Sequence, residues 1–169
     1  MDENFKINFT MEFDDIDWAL LNALQQDAAE SNQALAERVH VSPPTALRRV
    51  RRLHEAGLVT GQVALLDEDR VAALRGHGLT AIAEVSLDRQ GTEHQEAFER
   101  RVVQDAAVRQ CYRVAPGPDF VLVLRVADMP AYQALAERLF TQDANVRNVR
   151  VFFSVRRAKF RTEVPFGRS

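Results

Sequence analysis

The sequence predicts an α+β protein in two parts, a helical domain first and a βαββαβ domain behind it. Three observations carry this. Apolar residues recur at helical spacing through three short segments before residue 60, and the period changes to alternation at Leu79. Helical and alternating segments then follow one another in the order β-α-β-β-α-β, the ferredoxin-like split unit of a four-stranded antiparallel sheet with two helices on one face. The 169 residues suffice for two small domains and fall short of three.

In the first part, Ile16, Leu20, Leu21 and Leu24 place an amphipathic helix over about Asp14 to Gln26. Ser31 or Asn32 can cap a second, shorter helix carrying Ala34, Leu35 and Val39 on its apolar side. His40-Val41-Ser42 is then a tight turn. The third helix starts at Ser42, with Pro43 and Pro44 where backbone N–H groups have no helical partner, and stops at Gly57. Ala46, Val50 and Leu53 share its buried face, with Leu47 at the edge.

That third helix carries Arg48, Arg49, Arg51 and Arg52 within five positions. A solvated face is the ordinary reading of such a run. Two short helices and a brief turn placed just upstream instead make the segment the basic helix of a helix-turn-helix, built to enter a major groove.

In the second part, Asp67–Leu74 reads as a short capped helix ending at Gly76 and Gly78. Leu79 to Leu87 alternates as a strand. Thr92–Asp105 is helical, Val108–Ala115 a strand, Pro116–Asp119 a turn and Phe120–Ala127 a strand. Pro130–Phe140 is helical, and a last strand runs from about Val146 to Val155. Phe120–Leu124 is apolar on both alternations, and Phe152 faces away from Val151 and Phe153. A strand apolar on both sides is expected to be buried on both sides, so the open sheet face is expected to meet a second subunit.

Composition excludes several classes. No apolar run reaches the roughly 20 residues of a membrane helix, and Met1–Thr10 has no secretion-signal pattern. The lone Cys111 fits a reducing compartment and reads as a small buried side chain. His40, His54, His77 and His94 lack metal-ligand spacing, and no nucleophilic or phosphate-cradling motif occurs, so neither a metal nor an enzymatic activity is expected. A net charge of −2 rules out a generally basic coat protein: DNA contact must come from a local patch, which favours two copies of it.

The chain resembles the Lrp/AsnC (feast/famine) family of transcriptional regulators. The resemblance rests on Asp15-Ile16-Asp17, Leu20-Leu21, Leu35-Ala36, Val41-Ser42-Pro43, Arg49-Val50-Arg51-Arg52-Leu53, Gly57-Leu58-Val59, Gly61, Ala64-Leu65-Leu66, Val126, Asp128-Met129 and Ala131-Tyr132, and spans about Asp14 to Phe160. It implies a winged helix-turn-helix joined to a RAM/ACT-like domain. The expected division is a leader over 1–13, a DNA-binding domain over 14–60, and a linker strand with a short helix over 61–77. An effector-binding and oligomerisation domain over 78–160 and a tail over 161–169 follow.

The resemblance further implies homodimers that assemble to tetramers or octamers, a cytoplasmic, nucleoid-associated location, and no cofactor beyond a small-molecule effector, an amino acid or related metabolite. The family's effector loop maps onto Gly117, Pro118 and Asp119, here shorter and flanked by prolines; a rigid hairpin turn is the alternative reading. Where the family usually carries a Thr-x-Thr pair in the last strand, this chain has Val149 and Val151, which favours a more apolar effector or weaker binding.

Double-stranded DNA is the expected partner, met by Asn32, Ser42, Pro43, Pro44, Thr45, Arg48, Arg49, Arg51 and Arg52. Thr45 and Arg48 are expected at base edges and Arg52 at a base or phosphate. Arg49 and Arg51 are expected at phosphates or in intramolecular ion pairs. Most family members carry a non-basic residue at the Arg48 position. Two alternatives stand beside a sequence-specific regulator: an architectural DNA-binding protein without effector, and a metabolite-binding module or enzyme built on the ferredoxin-like half.

Overall fold

The computed structural model describes residues 12–76 and 78–166. Residues 1–11 of the leader expected over 1–13, the position of His77 and the last three residues lie outside the described residues. The chain forms two compact units: residues up to Leu65 together with those from Lys159 onward, and Leu66–Ala158.

The first unit holds α1 (Asp15–Gln26), α2 (Asn32–Arg38) and α3 (Pro43–Glu55). Asp14 caps α1 by accepting from the Ile16 and Asp17 amides, and Asp17 returns a bond to the Asp14 amide, a reciprocal cap that satisfies the orphan donors of the first turn. Ser31 caps α2 by accepting from the Ala34 amide. His40, with φ 56°, turns the chain toward α3, and Gly57, with φ 73°, ends it in the left-handed region. Leu20, Leu21, Ala23, Leu24, Leu35 and Leu53 form the core. Leu47, expected at the edge of that core, instead stands 49% exposed. The reason is angular: Ala46 and Leu53 take the centre of the buried face, and Leu47 falls about 100° from Ala46.

The C-terminal segment returns to α1. Gln25 accepts from the Val164 amide at 2.8 Å and donates to its carbonyl at 3.0 Å, and Phe166 stacks on Trp18 with ring centroids 5.4 Å apart.

The second unit contains α4 (Glu68–Arg75), β1 (Leu79–Leu87), α5 (Thr92–Val102), β2 (Val108–Arg113), β3 (Phe120–Val126), α6 (Met129–Ala136) and β4 (Val146–Phe153). The strands form one antiparallel sheet in the order β2-β3-β1-β4. Ala81, Ala83, Val85 and Leu87 of β1 and Phe120, Leu122, Leu124 and Val126 of β3 bury against Phe98, Val102, Leu135, Leu139 and Phe140. Burying this apolar surface is the main stabilising term of the unit.

Several expected boundaries shift. The linker strand and wing expected after α3 form no ladder among the described residues: 59–66 is unpaired, with Val63, Leu65 and Leu66 exposed, so its apolar side chains gain no cross-strand neighbours. α5 stops at Val102, since the Asp105 side chain captures the Ala107 amide at 3.0 Å and turns the chain into β2. β2 stops at Arg113, where the chain enters the hairpin that Val114 closes by donating its amide to the Asp119 carbonyl at 3.0 Å. α6 runs into a π turn over Glu137–Thr141, which carries Leu139 and Phe140 into the core.

Candidate nucleic-acid interface

The arginine helix divides its four cations by direction. Arg49 donates to Asp14 at 2.8 Å and to Asp17 at 3.0 Å, and Arg52 also pairs with Asp17. Arg52 further lies over the Phe13 ring, 5.3 Å from its centroid. Asp17 has no exposed surface. A buried carboxylate needs charge partners, and here two guanidinium groups supply them. The Arg49 bond holds the Asp14 carboxyl below its ordinary value, helped by the Asp17 amide. The same contacts raise Arg49, Asp14 first.

Arg48 and Arg51 point the other way. Both are exposed, and among the described residues neither has an ion-pair partner. With Pro44 and Leu47 they occupy an outward arc of about 100° on α3. Ser42, Pro43 and Pro44 are exposed at its start and Thr45 is half-buried, its hydroxyl 2.8 Å from that of Ser42. Ser42 thus adopts cap geometry without a side-chain bond to the helix backbone. Asn32 is exposed as the first residue of α2.

Sequence reasoning missed the residues that sort these cations: Phe13, Asp14 and Asp17. The signal was present, because Asp17 precedes Leu20, Leu21 and Leu24 by three, four and seven positions and so lies on the buried stripe of α1.

The residues expected at an effector site are not brought to one cleft. Asp119 is buried, and its carboxylate accepts from the Leu87 amide at 2.7 Å and from the Gln90 and Gln95 side chains, each at 3.4 Å. Its own amide donates to the Val85 carbonyl. Gly117 is exposed with φ 124°, and Pro118 is half-buried. Val149 and Val151 lie two strands away from this loop, on the helix-covered face, where Val149 pairs with Val85 and Val85 with Phe120. They line a shallow cleft of about 310 Å³ with Tyr132, Ala136, Phe140 and Val146. Burial raises the Tyr132 phenol and the Cys111 thiol above their ordinary values. No described helix is long and apolar enough to cross a membrane.

Comparison with known proteins matches both parts. The profile of the AsnC-type helix-turn-helix domain fits residues 13–54, and that of the Lrp/AsnC ligand binding domain fits residues 80–164. An HTH-type transcriptional regulator of Haemophilus influenzae is 35% identical over 150 residues, covering 88% of this chain and 87% of its own. The leucine-responsive regulatory protein of Rhizobium meliloti is 36% identical over 149 residues, covering 88% and 93%. Among solved structures, an AsnC family regulator from Agrobacterium tumefaciens superposes with a TM-score of 0.79 at 27% identity, covering 90% of this chain and 97% of that one. A regulator from Neisseria meningitidis, solved with L-Met, gives 0.79 at 28%, covering 91% and 97%. A capped three-helix unit with an outward cationic helix, a βαββαβ sheet, and matches along nearly the whole length together establish that this chain belongs to the Lrp/AsnC family of DNA-binding transcriptional regulators.

Proposed function

We propose that the chain reads a specific operator through the outward arc of α3. Arg48 and Thr45 meet base edges, Arg51 meets a phosphate, and Ser42, Pro43, Pro44 and Asn32 steady the helix ends against the backbone. The observation that carries this is the division of the four arginines. Two are held by Asp14 and Asp17 and two have no ion-pair partner among the described residues and share one exposed arc, so base reading falls to Arg48 and phosphate contact to Arg51, while Arg49 and Arg52 orient α3 from behind.

The proposal includes self-association through the open sheet face and an amino-acid effector. Ile82, Tyr112 and Phe152 are exposed on that face beside Val121 and Val123, a surface suited to a second copy. An effector is supported by the ligand-binding-domain match and by the L-Met complex of the Neisseria neighbour. Val149, Val151 and Phe140 favour an amino acid with an apolar side chain. A cytoplasmic, nucleoid-associated location belongs to the same reading.

Selection of duplexes from a randomised library tests it. The intact chain is expected to enrich a palindromic site, and Arg48→Ala to relax one position per half-site by about 1–3 kcal/mol. Enrichment of no sequence favours the architectural alternative. Uniform weakening by Arg48→Ala reassigns that residue to a phosphate.

A further inference from the structure

We infer that Leu47 reads the methyl group of a thymine in the operator. The inference rests on the DNA-binding reading of α3 and adds an apolar contact to it. Leu47 is 49% exposed and takes no part in the core built by Leu20, Leu24, Leu35 and Leu53. It stands one turn from Arg51 along the helix and next to Arg48, the two cations without a partner among the described residues, with Pro44 three positions before it.

The cations decide what can cover this leucine. An arc that presents two unpaired guanidinium groups around an aliphatic side chain does not suit an apolar protein surface, because docking there desolvates both charges without pairing them. A polyanion pairs them. Within the major groove of such a polyanion, base edges offer donors, acceptors and one apolar projection, the C5-methyl of thymine. Leu47 then leaves water only where the sequence places a thymine against it. Arg48 selects an acceptor-bearing base beside it. The two readings differ in kind, one by hydrogen bonds and one by shape.

The test uses the duplex selected above with the full-length chain. Each thymine is replaced singly by deoxyuridine, which removes the methyl group and leaves the hydrogen-bonding edges unchanged. Affinity is measured by fluorescence anisotropy for the wild type and for Leu47→Ala, a substitution that favours the helix and leaves the core untouched. At one thymine per half-site, deoxyuridine is expected to weaken the wild type about fourfold, the effect of one buried methyl group. Leu47→Ala is expected to bind the thymine duplex at least fourfold more weakly and to lose nothing further with deoxyuridine at that position.

Undiminished binding by Leu47→Ala overturns the assignment. So does a penalty for deoxyuridine in Leu47→Ala equal to that in the wild type, because independent losses mean the two groups do not touch. A changed sedimentation coefficient for Leu47→Ala places the side chain in a contact between subunits and likewise overturns it. If the wild type enriches no sequence, the operator reading and this one fall together. If it enriches a site insensitive to deoxyuridine at every position, only this one falls.

Discussion

Asp17 is wholly buried with Arg49 3.0 Å from one of its carboxylate oxygens, and the two residues lie on different helices, 32 positions apart. This pairing fixes α3 on α1 from the side opposite the outward arc. Replacing Asp17 by Ala leaves Arg49 and Arg52 without their buried acceptor. Both guanidinium groups retain some solvent access, so the cost falls at about 1–3 kcal/mol, below that of stranding a fully buried charge. Urea unfolding followed by the fluorescence of Trp18, the sole tryptophan and Asp17's neighbour, reports it.

Asp14 gives the same unit an acid sensitivity. Its carboxyl lies below the ordinary 3.8 in the folded chain, chiefly through the Arg49 bond. A depressed carboxyl contributes stability that is complete above the unfolded value and is lost as pH falls below it. The stability advantage of the wild type over Asp14→Asn is therefore expected to be constant between pH 5 and 7, by the same linkage, and to shrink below about pH 4. Melting curves of the two proteins across that range provide the measurement. An advantage that grows on acidification contradicts the assignment.

Asp119 is expected to matter before any ligand is added. Removing its carboxylate in Asp119→Ala leaves the Leu87 amide, now held at 2.7 Å, without an acceptor in a buried setting. The expected loss is about 1–3 kcal/mol in the absence of amino acids. Calorimetry without ligand checks it, and an unchanged transition assigns the carboxylate to ligand contact alone.

Phe152→Asp places a charge on the open sheet face beside Ile82, its partner in the β1–β4 register. If that face joins two copies, sedimentation shows the variant as a monomer at concentrations where the wild type associates. DNA affinity falls with it, since a chain of net charge −2 that presents its α3 arc once per copy gains a second set of phosphate contacts only by pairing.

Legibility followed the strength of the local pattern. β1 was readable to its end residues, Leu79 and Leu87, because five alternate apolar positions sit between a glycine and a polar run. The start of α3 was readable because Ser42 and two prolines permit little else. The directions of its arginines were not. Arg49 and Arg52 turn toward the buried Asp17 on α1, and a carboxylate in a first helical turn ordinarily reads as an exposed cap even where its spacing, as here, sets it on the buried stripe. The loop at Asp119 resembled a binding loop by composition, yet its carboxylate serves the end of β1, a partnership 32 residues away in sequence. The π turn after α6 left no local mark, since it answers to the packing of Leu139 and Phe140.

The return of the C-terminal segment to α1 has a consequence for the order of synthesis. Helices α1 to α3 leave the ribosome first, but Val164 and Phe166, which bind Gln25 and Trp18, emerge only after the whole sheet has been made. The helix-turn-helix unit therefore begins folding first and is completed last, so a nascent chain carries an unfinished first unit until the sheet of the second has been made.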